Sequence, residues 1–219
     1  NTPILKDRLY INNGNGSFNY NNSSLPDNFS SGMRVSSADF DKDGDIDLFV
    51  GGRVVPGSYP LPAESFLLEN ISDANGIKFK NTDESIFSFK EIGLVTSSVW
   101  TDYNNDGWED LVVVGEWTPI KFYKNMEGKF SEDTSLIDVD STRGWWYDII
   151  SEDFDNDGDM DLVIGNLGNN YKYQASGDET FDIFYNDFDK NNSGDIVLSY
   201  YSDGEQYPLR GRQCSSDQI

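Results

Sequence analysis

Residues 39–47 read Asp39-Phe40-Asp41-Lys42-Asp43-Gly44-Asp45-Ile46-Asp47, and the predicted fold depends on this acidic nonapeptide. Its five acidic side chains repel one another, so a folded chain needs a counter-ion among them. Oxygen ligands without a nearby His or Cys suit a hard divalent cation, and Ca²⁺ tolerates the largest number of them. The stretch therefore predicts a calcium loop. Positions 1, 3, 5 and 9 offer side-chain oxygens, position 7 offers a backbone carbonyl, and Gly44 supplies the turn.

The loop recurs at residues 102–110, 153–161 and 187–195. Position 2 is aromatic and position 10 is branched aliphatic in every copy, which indicates an internal repeat. In the last copy Asn192 replaces the turn glycine, which is tolerable because Asn visits positive φ. We expect Ca²⁺ at the first three loops, with the fourth less well formed. The predicted ligands are Asp39, Asp41, Asp43, Asp45 and Asp47; Asp102, Asn104, Asp106, Trp108 and Asp110; Asp153, Asp155, Asp157, Asp159 and Asp161; and Asp187, Asp189, Asn191, Ser193 and Asp195.

An EF-hand begins with the same residue pattern and is the main structural alternative. It requires a bidentate Glu at position 12 and a helix on each side of the loop. Position 12 is instead apolar in all four copies, as Val50, Val113, Ile164 and Leu198. The runs that flank the loops are β-rich, so each unit is predicted to be a β-hairpin whose tip is tied by an ion.

Composition excludes several classes of function. A net charge of −23 argues against nucleic acid or an anionic membrane as a partner. The chain has no His, so neither a Ser-His-Asp triad nor a His-ligated zinc site can be built. No apolar run is long enough to be a transmembrane segment. Because many of the acidic residues belong to the loops, we expect a protein that is not an enzyme.

The loops and their flanking strand patterns divide the chain into repeated units. Units of about 35 to 60 residues, each a small antiparallel sheet, are typical of β-propeller blades. The predicted fold class is therefore all-β, a propeller segment of about four blades. We expect outer strands of a preceding blade over 1–30, blades over 31–90 and 91–140, an abbreviated blade over 141–178 and an incomplete blade over 179–219.

The chain resembles the FG-GAP/VCBS repeats of integrin α-subunit propellers and bacterial secreted proteins. The resemblance rests on the four loops and on the segments that follow three of them, Leu48–Gly52, Leu111–Gly115 and Leu162–Asn166. A narrower resemblance, to the cartilage-acidic-protein-like VCBS proteins of Bacteroidetes-type bacteria, rests on segments such as Gly51–Gly57 and Gly115-Glu116-Trp117. The resemblance implies a calcium-stabilised propeller of about seven or eight blades, exported to the cell surface or the medium. We therefore expect this chain to form an arc, completed by the remaining blades or domains of the same longer protein.

The connections that leave the second strand of each blade are the predicted ligand-binding surface. They emerge opposite the calcium loops and are rich in Tyr, Trp, Arg and Asn, which give rigid aromatic area and adaptable hydrogen bonds. Packing between these loops alone is the competing interpretation. The expected function is recognition of a glycan or a protein in an extracytoplasmic setting, secreted or at the cell surface or outer membrane. The alternative is a scaffold or polysaccharide-lyase-like catalytic propeller in a larger assembly. The candidate ligand contacts are Arg53, Tyr59, Trp117, Asn169, Tyr171 and Tyr207.

Overall fold

The computed structural model describes residue 4, residues 6–168 and residues 171–210, within two compact units, Asn1–Asn166 and Leu167–Ile219. The described residues form strands and turns, with one 3-10 segment over Val139–Thr142 and no α-helix. The all-β prediction is confirmed. The EF-hand alternative is wrong, because no helix flanks any of the four loops. The described part of the chain also has no helix with the length and apolar character needed to cross a bilayer.

The first unit begins with a hairpin that is followed by a four-stranded antiparallel sheet. In the hairpin, β1 (Leu9–Asn12) pairs with β2 (Phe18–Asn21). The sheet has the strands in chain order, so each connection joins direct neighbours. Its strands are β3 (Gly32–Ala38), β4 (Asp47–Gly52), β5 (Phe66–Asn70) and β6 (Phe79–Asn81).

A second set of four antiparallel strands repeats this order, and the hairpin that contains the third Asp-rich loop follows it. The four strands are β7 (Leu94–Thr101), β8 (Asp110–Thr118), β9 (Lys121–Asn125) and β10 (Phe130–Glu132). The hairpin consists of β11 (Gly144–Glu152) and β12 (Asp161–Asn166). The start of β11 also pairs with the end of β8, so the backbone itself joins these two sheets.

The second unit contains the last hairpin and one further strand. In it β13 (Asp182–Asn186), β14 (Asp195–Ser202) and β15 (Glu205–Pro208) pair in chain order. The sequence predicts that the stretch from Tyr200 to Tyr207 is one of the connections of the ligand-binding surface, but most of it belongs to β14 and β15. That stretch is a tight β-hairpin, because Asp203 and Gly204 both adopt positive φ and reverse the chain in two residues.

Each Asp-rich loop joins the first two strands of its sheet, as the hairpin prediction requires. The residue before position 1 pairs with position 9 in every copy, so the four loops close in the same register. These closing pairs are Ala38↔Asp47, Thr101↔Asp110, Glu152↔Asp161 and Asn186↔Asp195.

Two apolar layers hold the sheets of the first unit face to face. The first layer brings Phe40, Phe49 and Leu67 of one sheet against residues such as Val95 and Phe130 of the next. The second layer joins that next sheet to the β11–β12 hairpin and includes Val112, Phe122 and Ile149. The aromatic residue at loop position 2 belongs to this packing in the first two copies. Phe40 is 1% exposed in the first layer, and Tyr103 packs on the second. Phe154 and Phe188 are instead about half exposed, at 50% and 42%.

The position-2 aromatic residues give a matched test of this packing. Phe40→Ala should lower the free energy of unfolding by about 3–5 kcal/mol, because it leaves a cavity between two sheets. Phe154→Ala, at the same position of the third loop, should cost less than about 1 kcal/mol because half of its ring is already in water. Urea denaturation of both variants measures the difference. Equal losses would contradict the assignment of Phe40 to an inter-sheet core.

Candidate functional site

The turn of each Asp-rich loop depends on two residues in the left-handed region of backbone space. Position 6 has φ of 99°, 89° and 101° at Gly44, Gly107 and Gly158, and 65° at Asn192. The asparagine therefore adopts the left-handed conformation that was predicted for it. Position 4 is also left-handed in all four copies, which the sequence did not indicate because lysine stands there twice. These residues are Lys42, Asn105, Asn156 and Lys190, with φ between 55° and 63°.

This turn aims a backbone N–H at the first carboxylate of each loop. The N–H of position 6 donates to the position-1 aspartate in every copy, over donor–acceptor distances of 2.7–3.2 Å. In the first loop, for example, Gly44 donates to Oδ2 of Asp39. The first carboxylate is thereby fixed on the inside of the turn, where it faces the other acids of the loop.

Three of the loops bring three carboxylates together, with their ligand atoms within 4.8 Å of one another. Close carboxylates repel, and within the first loop Oδ1 of Asp39 and Oδ1 of Asp45 are buried without a protein partner. A hard cation would satisfy both oxygens, so these residues fit Ca²⁺. The three groups are Asp39, Asp41 and Asp43; Asp153, Asp155 and Asp161; and Asp187, Asp189 and Asp195.

The grouping differs from the expected ranking of the loops. The fourth loop, which the sequence marked as less well formed, assembles three carboxylates, whereas the second loop forms no such group. The other predicted ligand residues of the first, third and fourth loops lie in the same turns but outside these groups. They are Asp45, Asp47, Asp157, Asp159, Asn191 and Ser193.

The position-9 aspartates are the point where each loop is anchored to its sheet. Asp47 and Asp110 are buried, and in the protein alone this burial raises the pKa of Asp47 to about 7 and that of Asp110 to about 6. Each accepts a backbone N–H at 2.7 Å, from Asn70 and Asn125 respectively. Both asparagines end the third strand of their sheet. Sequence reasoning missed them, although Asn closes that strand in both sheets.

The first two loops contact each other within the first unit. Nζ of Lys42 lies 4.3 Å from the ring centroid of Trp108, so the position-7 tryptophan of the second loop receives a cation from the first. The amide of Asn125 donates to the carbonyl of Phe40 at 2.8 Å and to that of Glu109 at 3.0 Å. One buried side chain thus ties the two loops together.

At the other end of the strands, three of the predicted ligand contacts meet around one buried acid. Glu116 is 3% exposed; one carboxylate oxygen pairs with the guanidinium of Arg53, and the other accepts the Tyr59 hydroxyl at 3.1 Å. The indole N–H of Trp117 then donates to the oxygen of Tyr59. Sequence reasoning placed Arg53, Tyr59 and Trp117 on one surface but did not identify Glu116 as the group that joins them.

Trp117 is held in an unusual backbone conformation. The register between β8 and β11 passes from Glu116↔Trp145 to Thr118↔Gly144, so Trp117 is the extra residue of a β-bulge. Its φ of 58° is left-handed, which is a genuine outlier for a bulky residue. The Trp117 ring lies against the Trp145 ring with centroids 5.1 Å apart and planes tilted by 50°.

The remaining predicted ligand contacts belong to the second unit. Tyr171 packs edge-to-face on Tyr173 and Phe181, with ring centroids 5.8 and 5.7 Å apart. Tyr207 lies 6.2 Å from Tyr200 and donates its hydroxyl to Glu205. Asn169 falls outside the described residues. Rings of this unit therefore form an aromatic cluster of their own, and Tyr171 and Tyr207 are its exposed members.

Comparison with known proteins bears on the loops and their strands. Residues 5–50 and 102–164 match the model of the FG-GAP-like repeat family. These two segments contain the first three Asp-rich loops, and the fourth lies outside them. A search among curated proteins found no match. The resemblance to FG-GAP repeats is thus supported, and the narrower one to bacterial VCBS proteins stays a prediction.

Asn125 and Asn70 give a matched test of how the loops are anchored. Asn125→Ala should lower the free energy of unfolding by about 2–3 kcal/mol, because the carbonyls of Phe40 and Glu109 lose their donor and the buried N–H of Gly128 loses its acceptor. Asn70→Ala should cost about 1 kcal/mol, since the bonds of its side chain to Ile46 and Ser72 are exposed to water. Chemical denaturation in excess EGTA measures both without a contribution from bound metal. A smaller loss for Asn125→Ala than for Asn70→Ala would refute this order.

Proposed function

We propose that the chain, in which two segments match the FG-GAP-like repeat family, is a calcium-binding interaction module of the β-propeller type. Its ligand, a glycan or a protein, contacts the strand ends opposite the calcium loops. The observation that carries this proposal is a network in which Arg53 and Tyr59 bind the buried carboxylate of Glu116, and Trp117 donates to Tyr59. The remaining blades would come from other parts of the same protein, in an extracytoplasmic setting.

The length of β8 separates the two kinds of site. This strand begins at Asp110, the last residue of the second Asp-rich loop, and reaches the bulge at Trp117 seven residues later. At roughly 3.3 Å per residue the two ends are about 23 Å apart. An ion in the loop can therefore stabilise the sheet without touching a ligand at the bulge.

The bulge has the properties of a rigid recognition element. Left-handed backbone at a bulky residue costs about 1–3 kcal/mol and persists only where the surroundings enforce it. Here the indole N–H bond to Tyr59 and the contact with Trp145 hold the ring in one orientation. An aromatic side chain that is already ordered loses little entropy when a ligand arrives.

The chemistry of the network supports binding rather than catalysis. Burial raises the pKa of Tyr59 to about 12, which opposes a role as general base near neutral pH. The Glu116 carboxylate is engaged by Arg53 and Tyr59, so it is committed to holding the network. A lyase-like function would need a base elsewhere. An assay of the purified protein on anionic and neutral polysaccharides tests that alternative.

Calcium should stabilise the fold through the acidic loops. For a site with a dissociation constant near 10⁻⁴ M, about 2 mM Ca²⁺ adds roughly 1.8 kcal/mol to the free energy of unfolding. Asp43→Asn should reduce the rise in melting temperature that Ca²⁺ produces, yet leave the melting temperature in EGTA equal or higher, because it relieves repulsion. Asp178→Asn is the control, since it removes one exposed charge outside the loops. A melting curve unaffected by EGTA would refute calcium binding.

Ligand binding should depend on the bulge and not on the loops. Trp117→Gly removes the indole ring and relieves the left-handed strain, so we expect at least about tenfold weaker binding with a smaller loss of stability than a buried tryptophan normally entails. Tyr10→Ala, which removes an exposed ring of the β1–β2 hairpin, should bind normally. Glycan arrays and purified extracellular proteins, followed by affinity measurement on each hit, supply the readout. Binding lost only through loop variants that still fold would mean that the metal bridges the ligand.

A further inference from the structure

We propose that the second Asp-rich loop, residues 102–110, is neutralised by the protein itself and binds Ca²⁺ more weakly than the other loops. The ammonium of Lys124, on β9, occupies the role that a metal ion has elsewhere. This inference rests on the proposed calcium binding but concerns a difference between loops that share one sequence pattern. Its evidence is the set of donors around each carboxylate oxygen of this loop.

The first half of the loop has a protein donor for every acidic oxygen. The two oxygens of Asp102 accept the backbone N–H groups of Asp106 and Gly107, at 3.0 and 2.7 Å. Oδ1 of Asp106 accepts the N–H of Trp108 at 3.0 Å, and Oδ2 lies 3.2 Å from Nζ of Lys124. In the third loop the position-1 aspartate accepts the same two backbone N–H groups, so the ammonium beside Asp106 is what distinguishes this half of the second loop.

In the second half of the loop, both oxygens of the Asp110 carboxylate also have a protein donor. Oδ1 of the buried Asp110 accepts the backbone N–H of Asn125 at 2.7 Å, and Oδ2 accepts the side-chain amide of Asn104 at 2.8 Å. Asn104 stands at position 3, where the first and third loops have an aspartate. Position 3 therefore adds no negative charge to this loop. Its amide instead donates a hydrogen bond to the carboxylate of Asp110.

In the first loop, by contrast, some carboxylate oxygens lack a protein donor. Oδ1 of Asp39 and Oδ1 of Asp45 are buried without a partner, and its position-9 carboxylate receives no side-chain amide. Over the described residues, Lys124–Asp106 is also the one ion pair that involves a predicted ligand carboxylate. The same turn is therefore deficient in cations in one copy and satisfied in the other.

Calcium entering the second loop must displace the ammonium and break the amide bond from Asn104. Lys124 and Asp106 are both partly exposed, so screening keeps the penalty moderate, at roughly 3- to 10-fold in affinity for the ammonium. The loop also holds one acid fewer than the first and third loops at the side-chain ligand positions. Without calcium, the sheet in the middle of the first unit keeps its hairpin tip closed by an internal cation.

Terbium can report this loop separately from the others. Tb³⁺ replaces Ca²⁺ in oxygen-ligand sites and emits when a nearby indole transfers energy to it. Trp108 is the tryptophan within the Asp-rich loops, but its ring also contacts Lys42 of the first loop, so the titration uses a protein in which Asp41→Ala and Asp43→Ala disable the first site. The signal that Trp108→Phe then abolishes comes from the second loop. We expect this signal to reach half its maximum at a Tb³⁺ concentration several-fold above that needed to fill the other intact loops, measured by calorimetry on the same sample.

Two substitutions in the loop and one on the same strand complete the test. Lys124→Met should shift the midpoint of the Trp108-dependent signal roughly 3- to 10-fold lower and reduce the melting temperature in EGTA. Asn104→Asp should shift the midpoint lower as well, because it adds an acid and removes the competing amide. Lys121→Met is the matched control, since Lys121 faces Glu132 at 3.8 Å and contacts no loop carboxylate.

The outcomes separate this inference from the calcium proposal. If the second loop fills together with the others and Lys124→Met leaves its midpoint unchanged, the internal-cation assignment is overturned while calcium binding stands. If calorimetry shows no Ca²⁺ or Tb³⁺ binding at any loop, the proposed function itself fails. A lower midpoint in Lys124→Met that Lys121→Met does not reproduce supports the inference.

Discussion

Repulsion between clustered carboxylates is the constraint on which the rest of this structure depends. Each Asp-rich turn bends so tightly that its acids face one another, and it does so because positions 4 and 6 accept left-handed backbone. Backbone N–H groups inside the turn offset part of the negative charge, beginning with the bond to the position-1 aspartate. In the first loop a cation would satisfy the two buried carboxylate oxygens that have no protein partner. An ion, or a protein group that substitutes for it, would thereby stabilise the hairpin and the sheet to which it belongs.

The second loop illustrates how tertiary structure changes the meaning of a motif. Its sequence fits the calcium pattern with Asn104 in place of one aspartate, and it lies within a segment that matches the FG-GAP-like repeat family. The difference comes from Lys124, which stands outside the motif on β9 and reaches Asp106 because β9 lies beside β8. An internal ammonium and a divalent ion both offset the negative charge of the loop, but only the ion can be removed by a chelator.

At the opposite strand ends, a buried acidic side chain is paired with a protein cation. Glu116 is buried, and its charge is tolerable because Arg53 pairs with it and Tyr59 donates a hydrogen bond. The same bonds orient Trp117 at the bulge, so the polar network and the aromatic surface form one rigid assembly. The strands thus separate two tasks, with stabilisation by cations at one end and a preorganised surface at the other.

The features that depend on local spacing could be predicted from the amino-acid sequence. The loops, the strands beside them and the all-β class follow from residues within about a dozen positions of one another, because turn conformation and strand alternation are local properties. The match to FG-GAP-like repeats rests on that same local pattern. The left-handed conformation of Asn192 was predictable for this reason, whereas that of Lys42 and Lys190 was not, since lysine has no particular preference for it.

Only the tertiary structure decided which distant side chains meet. Glu116 contacts Arg53 across 63 residues of sequence, and Asn125 reaches the carbonyl of Phe40 across 85. The connection between β6 and β7 reads as a loop, yet it places Phe89 and Ile92 in the main apolar layer. Such partners leave no periodic signal, because burial and hydrogen bonding between sheets depend on how the sheets stack. For that reason the sequence located four acidic turns of one pattern, whereas the packing around the second turn placed Lys124 beside its carboxylate.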